Sequence, residues 1–121
     1  MACVLFVDDD PYTLEMLDKS FQILGHKALL ANSGKEALEL AATGSPDLIV
    51  TDMRLPDMDG LALLSQLKQG FATAQIPVVI LSAGPELDAV KMSQAAGAGD
   101  YLEKPIRLQT LQEAIERFTS G

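Results

Sequence analysis

The sequence predicts an α/β protein with a doubly wound, five-stranded parallel sheet and five helices. Five short apolar runs alternate with amphipathic segments, the pattern of a βα unit repeated five times. The runs are nearly continuous in apolar residues, as strands covered on both faces require. Two of them end in acids: Val4-Leu5-Phe6-Val7 runs into Asp8-Asp9-Asp10, and Leu48-Ile49-Val50-Thr51 runs into Asp52. Right-handed crossovers favour the strand order 2-1-3-4-5, which makes strands one and three neighbours at the switch point.

The strands are expected at Ala2–Val7, Lys27–Ala31, Asp47–Thr51, Pro77–Leu81 and Asp100–Leu102. Between the first two, Leu14, Leu17, Phe21 and Leu24 share one helical face. Asp10 suits the N-cap of that helix, Pro11 its first turn and Gly25 its stop. Ser33 and Glu36 have capping-box spacing at the second helix. Leu61, Leu64 and Leu67 mark a third, and Glu86 to Ala96 reads as a fourth. Leu108, Leu111, Ile115 and Phe118 give the last helix its apolar stripe.

At 121 residues, 48% of them hydrophobic, the chain fits one domain spanning 1–121. A net charge of −8 argues against general binding to nucleic-acid backbones. No apolar run reaches the length of a membrane span, and no signal-peptide pattern opens the chain. The single cysteine, Cys3, forms no internal disulfide and reads as a small hydrophobe of the first strand. A cytoplasmic setting is expected.

Ligands of such sheets bind beyond the carboxyl ends of the strands. Asp8, Asp9 and Asp52 should therefore meet in one small pocket, where like charges repel. A divalent cation with a taste for hard oxygen ligands relieves that repulsion, and Mg²⁺ fits. The cluster suggests metal-assisted chemistry on a phosphate. Asp10 reads as a helix cap, and Asp57 and Asp59 as shapers of the turn before Gly60. His26 reads as a surface residue far from the acids.

The later strands sharpen this. Val78-Val79-Ile80-Leu81 runs into Ser82-Ala83-Gly84, and the fifth strand, with Tyr101, runs into Lys104-Pro105. Four motifs thus stand in order, each after the expected strand. They are Val7-Asp8-Asp9, Asp52 with Leu55-Pro56-Asp57-Met58-Asp59-Gly60, Ser82-Ala83, and Lys104-Pro105. Each is weak alone. Together, over essentially the whole chain, they resemble the CheY-like receiver domain of two-component response regulators, whose strand order is flavodoxin-like.

The resemblance implies that Asp52 accepts a phosphoryl group from a phosphohistidine of a sensor histidine kinase or phosphotransfer protein. It implies that Asp9 binds Mg²⁺ directly and Asp8 partly through water. Asp52 and the backbone carbonyl of Arg54 complete the ligands, and Mn²⁺ is the alternative ion. Lys104 would pair with a phosphoryl oxygen, after a cis bond to Pro105, and Ser82 would donate to another. Ser82 and Tyr101 would form the switch that reshapes the face of the fourth helix, fifth strand and last helix. That face is also where a homodimer would form. Arg54, at a variable family position, is expected to affect the lifetime of the phosphate. Such a chain is a signalling switch, not an enzyme, though it assists its own phosphotransfer and autodephosphorylation.

Two other readings compete. A small haloacid-dehalogenase-like phosphatase would use Asp8 as nucleophile, and Asp8 and Asp10 have its D-x-D spacing. Pro11-Tyr12 departs from that pattern, and Asp52 has no use in it. The second is a receiver-like docking module that works without phosphorylation. No output domain is recognisable in these residues. A stand-alone receiver, or a receiver at the N-terminus of a longer regulator or hybrid kinase, is expected. It would act on an output domain or docking partner, with no direct contact to nucleic acid or membrane.

Overall fold

The computed structural model describes residues 2–82, 97, 99–103 and 108–119. Five strands form one sheet: β1 (Cys3–Val7), β2 (Lys27–Ala31), β3 (Leu48–Asp52), β4 (Val78–Ser82) and β5 (Asp100–Glu103). Their order is β2-β1-β3-β4-β5, and every neighbouring pair is parallel. The expected topology is therefore the observed one. Among the described residues the helices are α1 (Pro11–Ile23), α2 (Gly34–Gly44), α3 (Gly60–Gln69) and the last helix (Leu108–Thr119). The fourth helix expected at Glu86 to Ala96 lies outside the described residues.

The apolar runs lack alternation because both sheet faces are covered. In β1, Leu5 and Val7 face α2 and α3, in a cluster with Ala37, Ala41, Leu63, Leu64 and Leu67. Val4 and Phe6 face the other way, with Leu14 and Phe21 of α1 and with Leu111 and Ile115 of the last helix. The period of two along a strand thus feeds two cores at once. Phe6 and Phe21 meet edge to face, with ring centroids 4.7 Å apart.

The helix ends behave largely as their residues dictate. Asp10 caps α1 by accepting from the Tyr12 N–H and the Thr13 hydroxyl. Gly25, at φ 79°, ends it in a left-handed turn. There the His26 N–H reaches the Phe21 carbonyl and the Gly25 N–H reaches that of Gln22, a Schellman closure. Ser33 caps α2, but Glu36 reaches back to the Asn32 N–H, one residue beyond the expected box.

One reading gains detail and another needs correction. In α3 the fully buried stripe is Leu63, Leu64 and Leu67, while Leu61 is only half-buried. Leu61 lies three residues before Leu64 and Leu63 four before Leu67, both same-face spacings, and only the packing angle chooses between them. His26 is not a plain surface residue. It is half-buried, accepts the Ala2 N–H at Nδ1 (2.9 Å), and lies against the Phe21 ring. It joins the start of the first strand to the turn before β2, at the sheet end opposite the acids. Cys3 is half-buried, and burial, opposed by nearby Lys27, raises its thiol pKa.

Candidate functional site

The parallel ladder delivers three acids to one place. Val7 pairs with Ala31 on one side and Thr51 on the other, so β1 and β3 end side by side. Asp8 follows Val7 and donates its N–H to the Ala31 carbonyl (3.0 Å). Asp52 is the last residue of β3 and pairs with Leu81, which makes its backbone part of the rigid sheet. Carboxylate oxygens of Asp8, Asp9 and Asp52 lie within 4.8 Å of one another. Asp8 is buried, Asp52 half-buried and Asp9 exposed, so the cluster opens to solvent through Asp9. Asp8 also accepts the Asp10 N–H at Oδ1 (3.0 Å), which fixes its side chain. An all-carboxylate set of this spacing suits a hard divalent cation.

The segment after Asp52 is pinned at its base. The Met53 N–H donates to the Leu81 carbonyl (2.8 Å), and the Met53 carbonyl accepts from Gly60 (2.7 Å). Arg54 and Asp59 form an antiparallel bridge, and the Leu55 N–H closes onto the Met58 carbonyl. Gly60 sits against the strand end: a Cβ there would lie 2.9 Å from the Asp52 carbonyl oxygen and 3.1 Å from the Met53 Cα. Both are backbone atoms and cannot swing away. Gly60→Ala should destabilise the fold by about 1–3 kcal/mol and displace the loop, as overpacking against backbone does. Urea unfolding with an unchanged midpoint would show that the loop has slack there.

Asp59 caps α3 by accepting the Ala62 N–H (2.7 Å), in line with the turn-shaping role expected of it. Asp57 does something else. Its two oxygens accept the N–H groups of Gly34 (2.8 Å) and Lys35 (2.9 Å), at the start of α2. Sequence reasoning missed this contact because the partners are more than twenty residues apart. These donors, Gly34 first, hold the Asp57 carboxyl below its usual pKa. A carboxyl lowered by folding stabilises the fold above its unfolded pKa, and that contribution is lost as pH falls through the folded value. The titration midpoint read from the Gly34 and Lys35 amide signals should therefore lie below that of an unperturbed aspartate. An NMR pH titration reads this directly, and a midpoint at or above the unperturbed value would mean the contact is not kept in solution.

The remaining expected site residues are placed less fully. Ser82 is the last residue of β4 and pairs with Glu103, and Tyr101 stands in β5 opposite Ile80. Lys104, Pro105, Ala83 and Gly84 lie outside the described residues. Arg54 is exposed, two residues beyond Asp52. No described helix is long and apolar enough to cross a membrane.

A parallel sheet of this order, with acids gathered at the ends of β1 and β3, is a doubly wound, flavodoxin-like α/β architecture with a candidate cation site at its switch point. The family model of the response regulator receiver domain matches residues 4–116, and the chain belongs to that family. It is 38% identical over 117 residues to the DNA-binding transcriptional regulator NtrC of Escherichia coli K12, covering 97% of this chain and 24% of that protein. It is 36% identical over 125 residues to the transcriptional regulatory protein KdpE of Mycobacterium tuberculosis, covering all of this chain and 54% of that one. The chain thus spans between a quarter and about half of these relatives. Among solved structures, a putative response regulator from Chloroflexus aurantiacus superposes with a TM-score of 0.90 at 32% identity, covering 99% of this chain and 98% of the other. The chemotaxis protein CheY4 of Vibrio cholerae gives 0.90 at 28% identity, covering 98% of each chain.

Proposed function

We propose that this chain is the phospho-accepting receiver of a two-component phosphorelay, with Asp52 as acceptor. The observation that carries this reading is the convergence of Asp8, Asp9 and Asp52 at the ends of β1 and β3. A carboxylate oxygen of Asp52 attacks phosphorus in a phosphohistidine of a sensor kinase or phosphotransfer protein. The phosphorus–nitrogen bond breaks, its electron pair returns to the imidazole, and an acyl phosphate forms on Asp52. Asp8, Asp9, Asp52 and the Arg54 carbonyl would hold Mg²⁺. When bound, the ion supplies positive charge that offsets the phosphoryl and carboxylate oxygens.

Asp52 is suited to its role by position, since its backbone is fixed in the ladder while its half-buried side chain stays reachable. Asp8, held by the Asp10 N–H, keeps an oxygen directed at the cluster. Ser82 and Lys104 enter by the family pattern as partners of the phosphoryl oxygens. Ser82 and Tyr101 pass the change to the face of β5 and the last helix, as a population shift between two packings. The chain is consumed as a stoichiometric acceptor, so it acts as a switch and not as an enzyme. By analogy with NtrC and KdpE, which are named as transcriptional regulators, the recipient of the signal is an output domain or docking partner, and the setting proposed is cytoplasmic.

The cap role of Asp10, whose two oxygens accept from Tyr12 and Thr13 of α1, weighs against its use as the second acid of the phosphatase reading. Incubation with acetyl phosphate and Mg²⁺, followed by mapping of the modified residue by mass spectrometry, tests the proposal. The expected label is on Asp52 alone and depends on Mg²⁺. Label on Asp8 would support the phosphatase, and no label would leave the phosphorylation-independent docking module.

A further inference from the structure

The acid that sequence alone places in the turn after β3 ties that turn to a different element. We propose that Asp57 is a positioning residue for the acidic cluster, acting through the clamp of its carboxylate on the first N–H groups of α2. The inference rests on the reading of Asp8, Asp9 and Asp52 as a Mg²⁺ site.

The argument is a closed circuit of contacts. Asp52 leads into a loop whose base is fastened by the hydrogen bond from Gly60 to Met53. The tip of that loop, Asp57 and Met58, rests on the start of α2. The Asp57 oxygens accept from Gly34 and Lys35. The Met58 side chain packs over Gly34 and fills the space a Cβ there would take. The start of α2 follows closely on the strand end that binds the Asp8 backbone. Ala31, whose carbonyl accepts the Asp8 N–H, ends β2 only three residues before Gly34. The two sides of the cluster, Asp8 after β1 and Asp52 after β3, are thus linked by the sheet and again by the Asp57 clamp. Arg54, whose carbonyl is a proposed ligand, is bridged to Asp59 at the base and stands three residues before the clamped Asp57.

Two charge-assisted hydrogen bonds are strong enough to set the loop's height above the sheet. Without them the loop keeps its base but loses its tip. The Arg54 carbonyl and the Asp52 side chain then sample a wider range of positions, and the ligand set is less preorganised. Supporting contacts of this kind govern metal affinity without touching the ion.

The test is an NMR titration of the whole 121-residue chain with Mg²⁺, following the amide shifts of Asp9, Met53 and Leu55. Asp57→Ala should raise the Mg²⁺ dissociation constant roughly tenfold, at the low end of such effects. Asp57→Asn, which keeps one acceptor oxygen, should fall between Asp57→Ala and the parent protein. Ser33→Ala separates positioning from mere support of α2. It removes the neighbouring cap on the Glu36 N–H while leaving the Asp57 carboxylate and its two donors in place, and should stay within about twofold of the parent. Parent-like affinity in Asp57→Ala would overturn the proposal, and so would an equal loss in Ser33→Ala. If the parent protein shows no Mg²⁺-dependent shifts, the metal reading itself fails and takes this inference with it.

Discussion

Saturating Mg²⁺ is expected to raise the melting temperature of this protein by about 10 °C, and Asp9→Asn to remove most of that rise. A ligand present at a hundred times its dissociation constant stabilises the native state by about 2.7 kcal/mol. For a chain of 121 residues, 1 kcal/mol corresponds to about 4 °C. The site exists only in the fold, since Asp8 and Asp52 are brought together by the β1–β3 ladder and are distant in the unfolded chain. Asp9 is the exposed member of the cluster, so its replacement should alter ion binding with little effect on packing. If the affinity falls a hundredfold, the same Mg²⁺ concentration contributes only about 0.4 kcal/mol, or about 2 °C. The chain's net charge of −8 means that any salt relieves some self-repulsion. Glu39→Gln, on the exposed side of α2, controls for this and should retain nearly the full rise. Calorimetry with and without Mg²⁺ decides the matter. Equal shifts in Asp9→Asn and Glu39→Gln would reduce the effect to general screening.

Phe21→Ala is expected to destabilise the protein by about 3–5 kcal/mol, the range for emptying a buried aromatic site. Phe21 is fully buried and meets Phe6 edge to face. It belongs to the cluster between α1, the sheet and the last helix. Its carbonyl also accepts the His26 N–H that closes α1, but alanine keeps that bond. The loss should therefore come from packing and the cavity left behind. Set against a typical total of about 5–15 kcal/mol, it would leave the native state marginal. Urea denaturation measures it. A loss below about 1 kcal/mol would mean that neighbours collapse into the space, contrary to the rigid contact described.

These predictions draw on parts of the protein that were unequally legible. The strand order could be read because continuous apolar runs, separated by amphipathic segments, leave few ways to cover both faces of a parallel sheet. The cluster of Asp8, Asp9 and Asp52 could be read for the same reason. Strand ends in such a sheet lie along one edge, so an acid after β1 and an acid at the end of β3 are neighbours once the order is known. Caps such as Asp10 and Ser33 act on N–H groups two or three residues away, a range that local spacing covers.

Side-chain contacts that join separate elements away from the carboxyl ends of the strands were not legible. Asp57 looked like one more turn residue beside Asp59, yet Asp59 caps its own helix while Asp57 holds another. His26 followed a helix-ending glycine and looked solvated, yet its ring covers Phe21 and its Nδ1 accepts the Ala2 N–H. Leu61, Leu64 and Leu67 marked α3, yet the leucine fully buried beside Leu64 and Leu67 is Leu63, and Leu61 is half-buried. The sequence by itself determined the sheet, its order and the acids at its edge, because hydrophobic period and strand polarity are properties of the chain read locally. The tertiary structure alone decided which helix face is buried and which carboxylate reaches across to α2. Those outcomes depend on the distance and angle between elements, which no local pattern encodes.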